Sequence, residues 1–409
     1  MPVLEHPVRP LPSLGEILGA LDRHQLVNAF VAWLFAITGP VAVVLAIGRH
    51  GGLSQDDISS WMFACFVFGG LLTMAFSIAY RQPIAIMWTI PGAVLVGQAL
   101  DHLSLAEIVG AYLACGLLIT VLGLTGMMRR LMARVPMPIV MGMVAGVFLP
   151  FGLNVVAAFG QAWAMATAMV AAFALTAAVP ALGRVLPPVL SALLAGIAVI
   201  ALSGELDGTA LPPLALAAPN FYVPEFSLSA LGELVVPLAV TVIAAQNAQG
   251  FVILQQAGYQ PPQNSLTVAC GLGAFAYGLF GSVPTCVTGP ANAILNTSGA
   301  RERRYAAGAL FGLLAIGFGL LSPFTTGLGL ILPAVFINLL GGLAMLAVLQ
   351  GAFTTAFAGG GFALGALVSF LVTLSDVSIL NIGAPFWGLV FGYLASVLLE
   401  RADFARQSG

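Results

Sequence analysis

GSVPTCVTGPANAILNTS, residues 281–298, lies between apolar segments and yet cannot form one regular helix. Pro284 does not fit a helix interior, whereas Pro290 fits the first turn of a new helix. Residues 285–288 favour an extended strand, and residues 291–295 then favour a helix. A membrane span is broken in this way only where the break is buried in protein or lines a cavity. Because a helix N-terminus carries about half a positive charge, the stretch predicts half of a binding site for a small anion.

The composition of the chain is that of a polytopic membrane protein. Of its 409 residues, 60% are hydrophobic and only 7% are charged, against about 25% charged in soluble proteins. All 13 basic residues are arginine and the net charge is −2, so no nucleic-acid partner is expected. The four cysteines lie in apolar runs without metal-ligand spacing, which indicates small buried side chains and no metal site. The N-terminal 25 residues lack the pattern of a signal peptide and are predicted to be a cytoplasmic lead.

Counting about 20 apolar residues per crossing predicts fourteen spans. Their bounds are 26–47, 58–80, 83–100, 105–126, 138–155, 162–182, 187–202, 230–254, 266–281, the broken tenth span, 305–321, 328–349, 353–374 and 383–399. With the N-terminus inside, the inner loops hold Arg81, Arg129, Arg130, Arg134, Arg184, Arg301, Arg303, Arg304, Arg401 and Arg406. The outer loops hold Asp56, Asp57, Asp101, Glu205, Asp207, Glu225 and Asp376, with Arg49 as the one arginine. This positive-inside pattern predicts cytoplasmic termini.

Two pairs of similar segments indicate an internal repeat. TIPGAVL (89–95) matches TGPANAIL (288–295), since both place a threonine two residues before a proline that opens a helix. VPMPIVMGMVAGV of span 5 likewise resembles LPAVFINLLGGLA of span 12. Each pair is seven spans apart, so the halves would insert with opposite orientations. Paired interrupted segments point to a transporter's substrate site, although chance similarity between apolar segments is the alternative.

The candidate site residues are uncharged polar groups in three spans. Span 8 supplies Gln246, Asn247 and Gln249, which line a cavity or, alternatively, form hydrogen bonds between helices. Spans 10 and 3 supply Thr285, Thr288, Gly289, Ala291, Asn292, Trp88, Thr89, Gly92 and Ala93. If these two spans face each other, their two helix N-termini converge, and the amides of Gly92, Ala93, Ala291 and Asn292 hold a carboxylate. Thr38 and Asn338 are weaker candidates, because a single polar residue in a span more often forms a hydrogen bond between helices than binds a ligand.

Ionisable side chains are absent from the predicted middle of the membrane. Glu107 and Glu233 lie near the outer ends of spans 4 and 8. An ion-coupled carrier usually buries such a group as its ion site. There is also no acid pair, metal-ligand cluster or nucleophile–base arrangement, so neither an enzyme nor a cofactor is expected.

The runs PTCVTGPANAIL, VPMPIVMGMVAGVFLPFG and AAQNAQGFVILQQAGYQPP resemble the benzoate membrane transport proteins, which are benzoate:proton symporters. That family is distantly similar to uracil permease and the nucleobase–ascorbate transporters. The resemblance implies an all-α protein of fourteen transmembrane segments, arranged as seven-plus-seven inverted repeats, with short strands breaking spans 3 and 10. Because dimers are common among such proteins, it also implies a homodimer as a possible assembly. The implied divisions are a lead (1–25), core domain (26–126 and 230–324), gate domain (127–202 and 325–400), periplasmic loop (203–229) and tail (401–409).

Two departures from the nucleobase carriers affect the expected substrate. Those carriers have a glutamate where this chain has Gln246, and another near the position of Pro290. The missing acids argue against a nucleobase and for a carboxylate. We therefore expect import of an aromatic carboxylate such as benzoate with protons by alternating access, the proton travelling on the substrate's own carboxylate. The alternatives are a carrier of another small anion or a nucleobase, and a passive anion channel.

Overall fold

The computed structural model describes residues 4–126, 136–183, 186–203, 212–375, 377, 379 and 384–408. The first half contains α1 (Leu14–Ala20), α2 (Arg23–His50), α3 (Gln55–Tyr80), β1 (Ile86–Trp88), α4 (Ile90–Ala99), α5 (Leu105–Leu124), α6 (Met137–Gln161), α7 (Trp163–Ala178), α8 (Pro180–Gly183) and α9 (Pro188–Ser203). The second half contains α10 (Leu228–Val240), a π-helical segment (Thr241–Asn247), α11 (Ala248–Gln256), α12 (Gln263–Leu279), β2 (Thr285–Val287), α13 (Gly289–Leu295), α14 (Arg304–Leu320), α15 (Ser322–Ile331), α16 (Ala334–Phe357), α17 (Ala363–Leu374), α18 (Ala384–Leu399) and α19 (Arg401–Ser408).

The helices are those of a multi-pass membrane protein. Within the described residues, six helical stretches are long and apolar enough to cross a membrane, and a seventh arises if the bent pair α14–α15 counts as one span. Five further apolar helices have 10–17 residues. One of them is α4, which the strand β1 precedes. The total of fourteen spans and the core and gate divisions remain predictions.

Two of the predicted spans have the wrong bounds. Residues 328–331, predicted to begin span 12, belong to α15, which bends by 70° from α14. Pro333 ends that helix because the residue before a proline disfavours helical geometry, and α16 starts directly after it. Residues 353–357, predicted to begin span 13, instead finish α16. The glycine run 359–361 then breaks the chain, with Gly360 at φ 69°.

Close helix contacts depend on glycine. α3 packs on α14 and α5 packs on α12, while α6 packs on α16 and α17. At the α3–α14 crossing, a Cβ built on Gly70 or on Gly312 would lie 2.5 Å from the other residue's carbonyl oxygen. Since lipid supplies little hydrophobic drive between helices, such close backbone packing is what holds membrane helices together.

The two broken spans meet as a two-stranded antiparallel sheet. Met87 of β1 pairs with Cys286 of β2, and both strands are fully buried. The pairing continues past the strand ends, where the Thr89 amide donates to Pro284 O (3.1 Å) and the Thr288 amide donates to Ala85 O (3.0 Å). The sheet therefore places the start of α4 beside the start of α13, as the repeat predicted for spans 3 and 10.

Side chains satisfy the outward backbone groups of this small sheet. On one edge, the Thr73 hydroxyl accepts from the Ile86 amide and donates to the Ile86 carbonyl, both at 2.8 Å. On the other edge, Asn247 Oδ1 accepts from the Val287 amide at 2.7 Å. Unpaired backbone groups are very unfavourable inside a membrane, so these side chains are what allow extended chain at this depth.

Candidate functional site

The N-terminus of α4 is closed by its own threonine. Thr89 Oγ1 accepts from the Gly92 amide at 3.2 Å and donates to Thr241 Oγ1 at 3.1 Å. The Ala93 amide donates to the Thr89 carbonyl at 2.9 Å. The amides of Gly92 and Ala93, predicted to bind an anion, are therefore already paired in this structure, and Thr89 is a buried cap rather than a ligand group.

The N-terminus of α13 differs from that of α4 although the two segments are similar in sequence. The Thr288 side chain does not cap the helix. The Asn292 amide donates to the Thr288 carbonyl at 3.2 Å, whereas the amides of Gly289 and Ala291 have no acceptor among the described residues. This helix start thus keeps its orphan N–H groups, and with them the local positive potential that suits an anion.

The two asparagines predicted to face a ligand serve the sheet instead. Asn292 Oδ1 accepts from the Ala85 amide (3.0 Å), while its Nδ2 donates to the carbonyls of Ala85 (3.2 Å) and Thr288 (2.6 Å). Asn247 holds the Val287 amide, and its Nδ2 lacks a partner among the described residues. Both asparagines are fully buried, so each one fixes strand geometry.

A cavity of about 580 Å³ lies beside the two half-helix starts. Its wall is formed by Ile90, Pro91, Met137, Met141, Val144, Phe148, Ala244, Ala245, Gln246, Ala248, Gln249, Val252, Ile253, Pro290, Ala347, Val348, Gly351, Ala352 and Thr355. The wall is almost entirely apolar, with the amides of Gln246 and Gln249 and the hydroxyl of Thr355 as its polar side-chain groups. Its size and lining suit an organic ligand with few polar groups.

The cavity opens at one end of the helix bundle. Its deep residues, such as Phe148 and Ala244, are buried, whereas Gln249, Val252 and Thr355 are exposed. Gln249 and Val252 belong to α11 and Thr355 lies near the end of α16. We call this end of the bundle the terminal face, because α1 and α19 also lie there.

A second cavity of about 20 Å³ lies at the α13 start, enough for about one water molecule. Trp88, Thr288, Ala291 and Ile90 contribute to its wall, and Ile90 also borders the large cavity. Trp88 Nε1 is buried without a partner in the described chain. The unpaired Trp88 indole and the Thr288 hydroxyl therefore border the same small cavity.

The remaining candidates lie outside this arrangement. Thr285 donates to Cys270 O at 2.6 Å and thereby holds β2, and Thr38 donates to Leu34 O within its own helix at 2.8 Å. Asn338 is half-buried on α16 and borders neither of the two cavities.

The apolar cavity wall from α6 and α16, including Phe148, was not predicted from the sequence. In the sequence alone, apolar residues that line a cavity look the same as apolar residues that face lipid.

A helical membrane domain with two interrupted helices meeting beside a central cavity is the architecture of a secondary transporter. A solved structure has a similar fold. The transmembrane domain of the cyanobacterial bicarbonate transporter BicA superposes with a TM-score of 0.59 at 16% identity, covering 98% of this chain and 99% of that one.

The chain belongs to the benzoate membrane transport protein (BenE) family, whose model matches residues 20–398. It is 30% identical over 389 residues to the inner membrane protein YdcO of Escherichia coli (strain K12), covering 94% of this chain and 97% of that protein. It is 26% identical over 380 residues to the benzoate membrane transport protein of Acinetobacter baylyi (strain ATCC 33305 / BD413 / ADP1), covering 91% and 94%. The resemblance found in the sequence is confirmed, and the family is one of transporters rather than enzymes.

Proposed function

We propose that this protein imports an aromatic carboxylate, benzoate in the first instance, together with protons by alternating access. The observation that carries the proposal is the uncapped start of α13 beside a large apolar cavity. The carboxylate would extend from the large cavity past Ile90, which borders both cavities, and would accept hydrogen bonds from the Ala291 amide, the Thr288 hydroxyl and the neighbouring Gly289 amide. The ring would lie against the apolar wall, with Gln246 and Gln249 completing the polar contacts.

Alternating access would follow from movement of the predicted core domain against the predicted gate domain. The cavity lies between α4, α11 and α13 of the core and α6 and α16 of the gate. Relative movement would therefore close the terminal face and open the opposite face. Fourteen spans in two inverted repeats, and a homodimer, complete the proposed architecture.

The orientation in the membrane rests on the arginines. Every described arginine except Arg49 lies at the terminal face, which the positive-inside rule assigns to the cytoplasm. On that assignment the structure is an inward-facing state. The predicted inner arginines at 129, 130, 134 and 184, and the predicted outer acids at 205, 207 and 376, lie outside the described residues.

Ligand binding to the purified protein tests the substrate class. Benzoate should raise the melting temperature in proportion to the logarithm of its concentration, because it binds only the folded state. Uracil, sulfate and bicarbonate at equal concentration should not raise it. A shift with uracil or an inorganic anion but none with benzoate would assign the scaffold to the alternative substrate.

Counterflow of labelled benzoate in proteoliposomes distinguishes a carrier from a passive channel. A carrier exchanges internal for external benzoate and saturates, whereas a channel does neither.

Thr288 and Thr89 form a matched pair of sites for one side-chain change. Thr288→Val removes a free hydroxyl and should weaken benzoate binding about 5–10-fold, the value of one hydrogen bond, with little change in melting temperature. Thr89→Val removes a helix cap and should instead lower stability by about 1 kcal/mol. Calorimetric binding and thermal unfolding of both variants measure this difference. Equal effects of the two variants on binding would contradict the proposed asymmetry between α13 and α4.

A further inference from the structure

Glu233 lies in the second turn of α10, inside the membrane-spanning stretch Leu228–Gln256. It is 5% exposed, and it is the only buried Asp or Glu in the described chain. The sequence placed this residue near the outer end of span 8 but did not reveal its burial. An ionised carboxylate in such a position is unfavourable unless a partner compensates it, and intramembrane carboxylates commonly mark proton or ion sites.

The partner of Glu233 is a histidine from another span. His102 Nε2 lies 2.9 Å from Glu233 Oε2. His102 belongs to the turn between α4 and α5, and its side chain is 37% exposed, against 6% for that of Glu233. The imidazole therefore bridges a buried carboxylate and the water at the face opposite the terminal face.

The surroundings of the pair contain few other charges. α5 contributes Glu107 in its first turn, where Ser104 holds it in a capping box. The turn after α4 contributes Asp101, which pairs with His50 at 3.3 Å. Glu225 lies in the extended segment before α10, where its backbone amide donates to Ala106 O. α18, also packed on α10, contributes Tyr393, whose ring packs against Phe404. No described cation other than His102 pairs with Glu233, so the protonation state of one affects that of the other.

A covalent path connects this pair to the proposed substrate site. α10 continues into the π-helical segment, whose Thr241 bonds the cap of α4 and whose Asn247 bonds β2. Thr241 lies eight residues beyond Glu233, about 12 Å along a helix. π-helical insertions are frequent at functional sites. A change in charge at Glu233 therefore acts on the same helix that positions both half-helix starts.

We propose that the Glu233–His102 pair is the binding site for the proton that accompanies the substrate, an inference that rests on the proposed function. The proton would form an N–H or O–H bond within the pair, exchanging with water through the partly exposed His102 imidazole. The pair thereby changes by one positive charge, which balances one carboxylate anion. The expectation that the substrate's own carboxylate carries the proton is replaced by this assignment.

Glu233→Gln keeps the shape and hydrogen bonding of the side chain but cannot bind the proton. Asp101→Asn, one residue from His102 but exposed, is the matched control. In proteoliposomes with an inward proton gradient, the wild type and the control should accumulate labelled benzoate. Glu233→Gln should lose gradient-driven accumulation and keep benzoate exchange without a gradient. Full accumulation by Glu233→Gln would overturn the assignment.

A measurement without substrate separates this inference from the proposed function. Infrared difference spectra between acidic and alkaline pH should show the C=O band of a protonated buried carboxyl in the wild type and in Asp101→Asn, and not in Glu233→Gln. An unchanged band in Glu233→Gln overturns the proton site whatever the substrate is. A third outcome is that the band is lost in Glu233→Gln while the wild type neither binds nor exchanges benzoate. That combination would support the proton site and overturn only the substrate assignment.

Discussion

Gln246→Glu should abolish benzoate binding and transport while the protein remains folded. Gln246 borders the large cavity close to the half-helix starts, and it is 8% exposed. A carboxylate at this position would face the carboxylate of the ligand. Two like charges about 4 Å apart repel by about 4 kcal/mol at an effective dielectric of 20, which corresponds to about a thousandfold weaker binding. Titration calorimetry and uptake in proteoliposomes measure the loss.

Gln246→Leu is the control for this charge, since it removes the amide at similar volume and adds no charge. It should weaken binding by about tenfold at most, the value of one hydrogen bond. Equal losses for the two variants would mean that the side chain acts through shape and not through charge. Unchanged benzoate affinity in Gln246→Glu would place the ligand elsewhere and remove the support for an anion at this cavity.

Asn292→Leu should destabilise the whole core of the protein. The side-chain amide satisfies the Ala85 amide and the carbonyls of Ala85 and Thr288, all deeply buried. Leucine would leave the Ala85 amide without a partner, at about 1–3 kcal/mol, and would leave the carbonyls of Ala85 and Thr288 with their backbone donors alone. We expect a large fall in melting temperature and in the yield of monodisperse protein, which thermal unfolding and size-exclusion chromatography in detergent measure.

Asn338→Leu provides the comparison for that substitution, because the same exchange falls on a half-buried residue of α16 that makes no side-chain hydrogen bond within the described chain. Its melting temperature should stay near that of the wild type. A similar fall in melting temperature for both variants would contradict this explanation. It would mean that losing any asparagine from a membrane span destabilises the protein, whether or not the side chain contacts the sheet.

The positions of the breaks were predictable from the sequence because proline has strict local requirements. Pro91 and Pro290 each open a short helix after a strand, as expected. Thr89 and Thr288 occupy equivalent positions in two similar segments, yet one caps its helix and the other does not. Thr89 also bonds Thr241, across 152 residues of chain. Such long-range contacts leave no local pattern in the sequence.

The roles of the buried amides could be predicted only in outline. Asn247 and Gln246 are neighbours in one polar run, but the π-helical segment directs Asn247 to β2 and leaves Gln246 at the cavity. A regular 3.6-residue period does not describe that segment. The predicted starts of spans 12 and 13 were wrong for a similar reason, because the apolar sequence continues across Pro333 and across the glycine run, which interrupt the helices.

The sheet between β1 and β2 also has a consequence for biosynthesis. The two strands lie about 200 residues apart in the chain. At 5–20 residues per second, the ribosome needs roughly 10–40 s to deliver the second strand after the first. Throughout that interval the first strand has none of its partners from the second half of the chain. Nascent chains halted before residue 285 should therefore retain an open third span that proteases and quality-control factors can recognise.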